Sequence, residues 1–173
     1  MSHTKRLVYT AILIAIGVVL PLPFAPEMGK VLLPMHLPVL LCGIICGVPY
    51  GLACGAVTPV LSHLMTGKPP MAILPSMICE LAVYGLVSAL LARFIKTKNT
   101  YLNTLVPLIC AMLAGRVIYG AMNALVFQAG DYSMQIWMTS MFVTALPGII
   151  IQIVLIPGVV FALQRAKLVK AYG

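Results

Sequence analysis

The sequence predicts an all-α integral membrane protein, with six transmembrane helices in a compact bundle and both termini cytoplasmic. Three observations carry this prediction. The chain is 62% hydrophobic, 8% charged and has a mean hydropathy of +1.09, whereas an ordinary soluble domain is about 25% charged. Its apolar runs are about as long as a bilayer is thick, at roughly 20 residues per helical crossing. The eleven Lys and Arg sit mostly at the ends of those runs, and only three acids accompany them.

The stretch 34–70, PMHLPVLLCGIICGVPYGLACGAVTPVLSHLMTGKPP, is the expected packing centre. It carries no Lys, Arg, Asp or Glu from Pro34 to Gly67, but holds Gly43, Gly47, Gly51, Gly55 and Pro34, Pro38, Pro49, Pro59. In lipid such breakers are tolerated, because neighbouring helices satisfy the freed backbone groups. Glycines four apart lay a smooth strip along a helix face, along which backbones approach closely. The stretch is too long for one crossing and reads as two short helices hinged near Gly47–Pro49.

In chain order, the basic start Met1–Arg6 leads into helix one, Leu7–Pro21. This run has the outline of a signal peptide, but PLPFAPE follows it instead of a small-residue cleavage site. Pro21–Lys30 is a loop, stopped by three prolines and a glycine. Helices two and three cover Met35–Gly47 and Pro49–Met65, with the tight turn Thr66–Pro70 after them. Helix four is Met71–Phe94, and Lys96–Asn103 is a basic loop. Helix five is Leu105–Phe127, Gln128–Ser133 is a polar loop flanked by Asn123 and containing Asp131, and helix six is Ile136–Leu163. Residues 1–173 form one domain without linker, low-complexity tract or internal repeat, which counts against the large repeat-built carriers.

Six crossings put Lys5, Arg6, Arg93, Lys96, Lys98, Arg165, Lys167 and Lys170 on one side, and Lys30 and Lys68 on the other. Positive charge is retained on the cytoplasmic side, so both termini are predicted there. The shortness of helices two and three leaves a four-crossing arrangement open.

Ionisable groups at membrane depth are costly and point to function. Glu80 on helix four and Arg116 on helix five are expected near one depth, with Gln152 of helix six at a similar level. Tyr84 follows Glu80 by four residues, and Tyr119 and Asn123 follow Arg116 by three and seven, giving each helix a polar face. Two compatible readings are open: a structural Glu80–Arg116 ion pair, and a substrate cavity open to the outside that these groups line. His36, near the outer end of helix two, is a candidate cap over that cavity, and His63 ends helix three. Trp137 reads as an interfacial anchor. On helix one, Ala11 and Ala15 form a small-xxx-small pair, serving either internal packing or the docking of a partner helix.

Several functions are disfavoured. No basic patch interleaved with exposed aromatics suggests nucleic acid. No GxxxxGK[ST], HExxH or GxSxG occurs, and three acids are too few for a two-carboxylate or di-metal enzyme, so no catalytic residue is assigned. Cys42, Cys46, Cys54, Cys79 and Cys110 lie in apolar runs without a CxxC and read as buried apolar residues. No metal site or cofactor is expected.

The stretch 34–70, the ELxxYGL of Glu80–Leu86, the Gly115–Arg116 pair and PGIIIQIVLIP at Pro147–Pro157 resemble the substrate-binding S components of energy-coupling factor (ECF) vitamin transporters. The overall flavour is closest to the branch that includes pantothenate and cobalamin S components. The resemblance covers nearly the whole chain, and Ala11-xxx-Ala15 matches the family's AxxxA motif. It implies an ATP-driven import role in a prokaryotic cell membrane, with no enzymatic activity. The protein would capture a vitamin or precursor outside, then dock through Ala11 and Ala15 on a transmembrane coupling subunit served by two ATPase subunits. It favours the cavity reading of Glu80, Tyr84, Arg116, Tyr119, Asn123, Gln152 and His36. An Arg116 free to meet a carboxylate would suit pantothenate or another small acid. The competing classes are a self-contained carrier or channel, and an intramembrane enzyme.

Overall fold

The computed structural model describes all residues except 96, 98, 128–131 and 170–173. Lys96, Lys98 and Lys170 of the charge count, and Asp131, therefore lie outside the described residues. Among those described there is no strand. The helices are α1 (His3–Val19), α2 (Pro26–Leu32), α3 (His36–Cys46), α4 (Val48–Thr66), α5 (Leu74–Phe94), α6 (Thr100–Met122), α7 (Met134–Met138) and α8 (Leu146–Arg165). A π-helical turn, Asn123–Phe127, extends α6, and a second, Thr139–Thr144, follows α7.

Among the described residues, five segments are long and apolar enough to cross a membrane: Glu27–Cys46, Val48–Thr66, Leu74–Phe94, Tyr101–Val126 and Leu146–Arg165. At 17 residues, α1 has the lower length for a crossing, which runs from about 17 to 25 residues. Its neighbours alternate in direction. Thr10 of α1 meets Cys42 of α3, Gly17 meets Thr58 of α4 and Pro38 of α3, and a Cβ on Gly47 would lie 3.6 Å from an Arg6 guanidinium nitrogen. The starts of α1 and α4 thus share one end of the bundle with the end of α3.

The predicted hinge forms at Gly47. Its φ of +92° and ψ of −178° belong to a region reserved almost wholly for glycine. The glycine strip is therefore split between two helices rather than laid along one. Gly43 from α3, and Gly51 and Gly55 from α4, all turn toward α5. A Cβ on Gly51 would come 2.5 Å from the Gly85 carbonyl oxygen, and one on Gly55 would strike the Leu81 carbonyl. Backbone thus packs on backbone, as expected where lipid provides no hydrophobic driving force. Around this contact sits the core of Val39, Leu40, Ile44, Leu81, Tyr84, Leu108 and Ile156. The outward faces carry exposed Leu52, Val57, Leu113, Val117, Val154 and Phe161, an apolar coat suited to lipid.

Several boundaries differ from the sequence expectation by a few residues, and two segments differ in kind. The loop after α1 contains α2, started by Pro26 at its first turn with Glu27 behind it, both N-terminal helix signals. The single long helix expected over 136–163 is broken at Ala145, and α8 begins with Pro147 in its first turn. Of the cysteines expected to be buried, Cys42, Cys46 and Cys54 are, Cys79 is half-buried, and Cys110 is exposed.

Candidate functional site

The polar residues predicted on separate helices converge at one end of the bundle. His36 is the first residue of α3. Glu80 lies six residues into α5 and Gln152 six into α8, each roughly 9 Å from its helix start at 1.5 Å per residue. Both are shallower than the sequence suggested, because α5 and α8 start later than expected. Arg116 comes up from below on α6, which runs the other way.

His36, Glu80, Tyr84, Arg116, Asn123 and Gln152 are each at most 4% exposed, and Tyr119 is half-buried. The Tyr84 hydroxyl donates to Glu80 Oε1 at 3.0 Å. His36 Nε2 lies 3.7 Å from Glu80 Oε2, and the His36 and Tyr84 rings meet edge to face at 5.3 Å. The Leu33 carbonyl binds this end together: it accepts from the His36 backbone N–H at 3.1 Å and from the Gln152 side-chain amide at 3.3 Å. A Cβ on Gly115 would strike the Tyr84 ring and come 3.1 Å from the Glu80 carbonyl oxygen. That close approach of α5 and α6 places Arg116 beside the Glu80–Tyr84 pair.

The direct Glu80–Arg116 ion pair does not form. Among the described residues, the basic–acidic side-chain contacts within 4.0 Å are Lys30–Glu27 and His36–Glu80. The Arg116 guanidinium instead stands 5.6 Å over the Phe142 ring, with its Nη2 buried and unbonded. Three more buried polar atoms in this region lack partners: Gln152 Oε1, Asn123 Oδ1 and His36 Nδ1. The Gln152 and Asn123 side-chain nitrogens are both committed, to the Leu33 and Tyr119 carbonyls respectively, which fixes the free atom of each as the oxygen. Unpaired buried polar atoms are rare in native interiors and call for an explanation.

Beside this cluster, a cleft of about 290 Å³ runs between α6 and residues 132–137, lined by Val117, Gly120, Ala121, Ala124, Tyr132 and Trp137 among others. Trp137 stands between cleft and cluster. Its indole N–H donates to the Arg116 carbonyl at 3.0 Å, it packs over Gly120, and its ring meets Phe142 edge-on at 5.4 Å. Trp137 thus does more than anchor an interface. Burial holds the Tyr132 phenol above its ordinary pKa, so Tyr132 offers the cleft a neutral hydroxyl. Sequence reasoning missed Phe142, Tyr132 and Leu33. Of these only Tyr132, an aromatic in the polar loop 128–133, gave any signal.

Above the cluster lies α2, which packs on α8. A Cβ on Gly148 would come 2.6 Å from the Val31 carbonyl oxygen and 2.8 Å from that of Leu32. His63 stands apart, its Nδ1 2.8 Å from the Pro69 carbonyl oxygen in the turn after α4. Among the described residues no three His, Cys, Asp or Glu side chains come together as a metal ion would need.

The faces of α1 divide cleanly. Thr10, Gly17 and Val18 are buried against the bundle, while Ala11 and Ala15 are exposed among exposed Leu7, Val8, Ile12 and Ile16. The alanine pair thus lies on the face of α1 turned away from the bundle.

The family model described as ECF transporter, substrate-specific component, matches residues 5–160. The chain belongs to this family. Its members are transporter subunits that bind a small-molecule substrate and dock with the ECF module. No curated protein and no solved structure matches the chain. As an S component, it has the expected helical membrane bundle, and the buried polar cluster lies at the end roofed by α2.

Proposed function

We propose that this S component is the high-affinity capture subunit of an ATP-driven vitamin or vitamin-precursor importer in a prokaryotic cell membrane. Its six helices cross the bilayer with both termini in the cytoplasm, which puts the polar cluster and α2 at the outer face. Substrate binds among His36, Glu80, Tyr84, Arg116, Tyr119, Asn123 and Gln152. Ala11 and Ala15 then seat α1 on a transmembrane coupling subunit, whose two ATPases drive release inside. The observation that carries this reading is the set of buried, unpaired polar atoms gathered beneath α2 in a chain of this family. A bundle serving only as a scaffold would have no use for them.

Two measurements test the reading. Mass spectrometry of small molecules retained by the detergent-purified protein is expected to find a stoichiometric vitamin or precursor. Ala11→Trp or Ala15→Trp is expected to block uptake in cells while leaving binding intact, since both side chains point away from the bundle. Loss of binding in these variants would assign the pair to packing. Uptake by vesicles holding this chain alone, without ATPases, would instead identify a self-contained carrier.

A further inference from the structure

The cleft beside the polar cluster opens on the outer surface of the bundle, and Trp137 closes it off from the cluster. Val117, Gly120, Ala121 and Ala124 form its floor at i, i+3, i+4 and i+7, one face of α6 and its extension. Met134 and Trp137 form the facing wall. Val117 is 55% exposed and Met134 72% exposed, and Ala124 is exposed as well, so the mouth faces outward. All four floor residues lie within Tyr101–Val126, a segment long and apolar enough to cross a membrane. On the same two segments Leu113, Leu125, Ile136 and Met138 are exposed too. The cleft is therefore a recess in the apolar coat at membrane depth.

Its volume of about 290 Å³ is nearly twice that of an apolar cavity of roughly 150 Å³ that takes up benzene. Water is a poor occupant, because it needs about two to four polar partners. The side-chain hydroxyls of the described lining are those of Tyr132 and Ser133, and Ser133 Oγ already accepts from the Ile136 backbone N–H. A water-soluble vitamin would meet the same shortage. The Tyr132 hydroxyl is buried without a hydrogen-bond partner, while the Ser140 hydroxyl on the next turns donates to the Ile136 and Trp137 carbonyls. Tyr132 lies beyond the end of the crossing segment, where an amphipathic ring meets the polar edge of a bilayer. The complement is a hydrocarbon chain with a hydrogen-bond acceptor at one end.

We infer that this cleft binds one acyl chain of a bilayer lipid, packed between Trp137 and the Gly120–Ala124 face, with a lipid ester carbonyl accepting from the Tyr132 hydroxyl. The chain supports the cluster from outside, since Trp137 holds the Arg116 carbonyl and meets the Phe142 ring. The site does not depend on which substrate the cluster takes.

Trp137 is the single tryptophan of the chain, so its fluorescence reports on the cleft. The full chain is reconstituted in phosphatidylcholine vesicles, either plain or carrying bromine midway along the acyl chains, where it quenches an indole that it touches. Strong quenching is expected in wild type, with the greater part of it lost in Ala121→Phe and in Ala124→Phe, whose rings fill the cleft. Ala124 is exposed, so its variant tests the site even if Ala121→Phe folds poorly. Acrylamide in the water is expected to quench little. Equal quenching by brominated lipid in wild type and both variants would mean that Trp137 meets only the surrounding bilayer, and overturns the assignment. Strong quenching by acrylamide, which places water in the cleft, overturns it too, as does weak quenching by both agents, which places protein there.

Discussion

His36 Nε2 stands 3.7 Å from Glu80 Oε2, with each side chain about 5% exposed. Tyr84 holds the other carboxylate oxygen, so three residues from α3 and α5 share one buried polar unit. Removing one member of such a unit leaves buried polar atoms of the others unpaired, which costs about 1–3 kcal/mol. Glu80→Ala is therefore expected to lower the thermal stability of the detergent-solubilised protein by about that amount. Glu80→Gln still accepts from Tyr84 and should cost less than half as much. Equal melting temperatures for wild type and Glu80→Ala would remove the unit from the list of structural elements.

Arg116 should behave in the opposite sense. In the ligand-free protein its guanidinium is buried without a carboxylate partner, and its visible compensation is the Phe142 ring. A cation–π contact contributes about 0.5–2 kcal/mol, while burying an unpaired ion costs several. Arg116→Met keeps much of the volume and drops the charge. It is expected to raise the stability of the ligand-stripped protein by about 1 kcal/mol or more while abolishing ligand binding. A variant that loses stability as well would mean that Arg116 holds the fold together.

At Gly47 the backbone alone decides. A Cβ there would find only the flexible end of Arg6, at 3.6 Å, but φ of +92° with ψ of −178° is a conformation other residues rarely adopt. Gly47→Ala is expected to cost about 1–3 kcal/mol in thermal unfolding. Gly158→Ala provides the control. That glycine lies inside α8, where a Cβ would have nothing within 4 Å and φ is not positive, so alanine there should be neutral or stabilising by up to about 1 kcal/mol. Equal losses at both sites would refute the hinge account.

The hinge was legible because glycine and proline announce backbone geometry locally. So was the identity of the polar residues, since any ionisable group within a long apolar run stands out. Which of them touch was not legible. Glu80 chooses His36 and Tyr84 over Arg116 because α3 packs on α5, with Gly43 against the Gly85 carbonyl and Ser88, so that the start of α3 lies beside Glu80. The spacing of residues within one helix does not reveal such a pairing between two. The α2 helix went unread although Pro26 and Glu27 are start signals, because a stretch with three prolines reads first as a loop. The break before α8 was hidden by a long apolar run, within which Pro147 marks the first turn of a new helix.

Gly148 tests the roof over the site. It sits in the first turn of α8, where a Cβ would meet the Val31 and Leu32 carbonyl oxygens at 2.6 and 2.8 Å. These are backbone atoms, which cannot swing aside as a side chain would, so α2 must shift as a body. The bundle below, held by the Gly51–Gly85 and Gly55–Leu81 contacts, is untouched by that shift. Leu33, one residue after α2, would move with it and loosen the Gln152 hydrogen bond, which contributes about 1 kcal/mol. Gly148→Ala is accordingly expected to weaken ligand binding about 5-fold, mainly through faster dissociation, while melting stays within a few degrees of wild type. Gly85→Ala, which forces the α4–α5 backbones apart, should do the reverse, losing the fold before it changes any affinity. If Gly148→Ala unfolds the protein as readily as Gly85→Ala does, α2 belongs to the core rather than to the closure of the site.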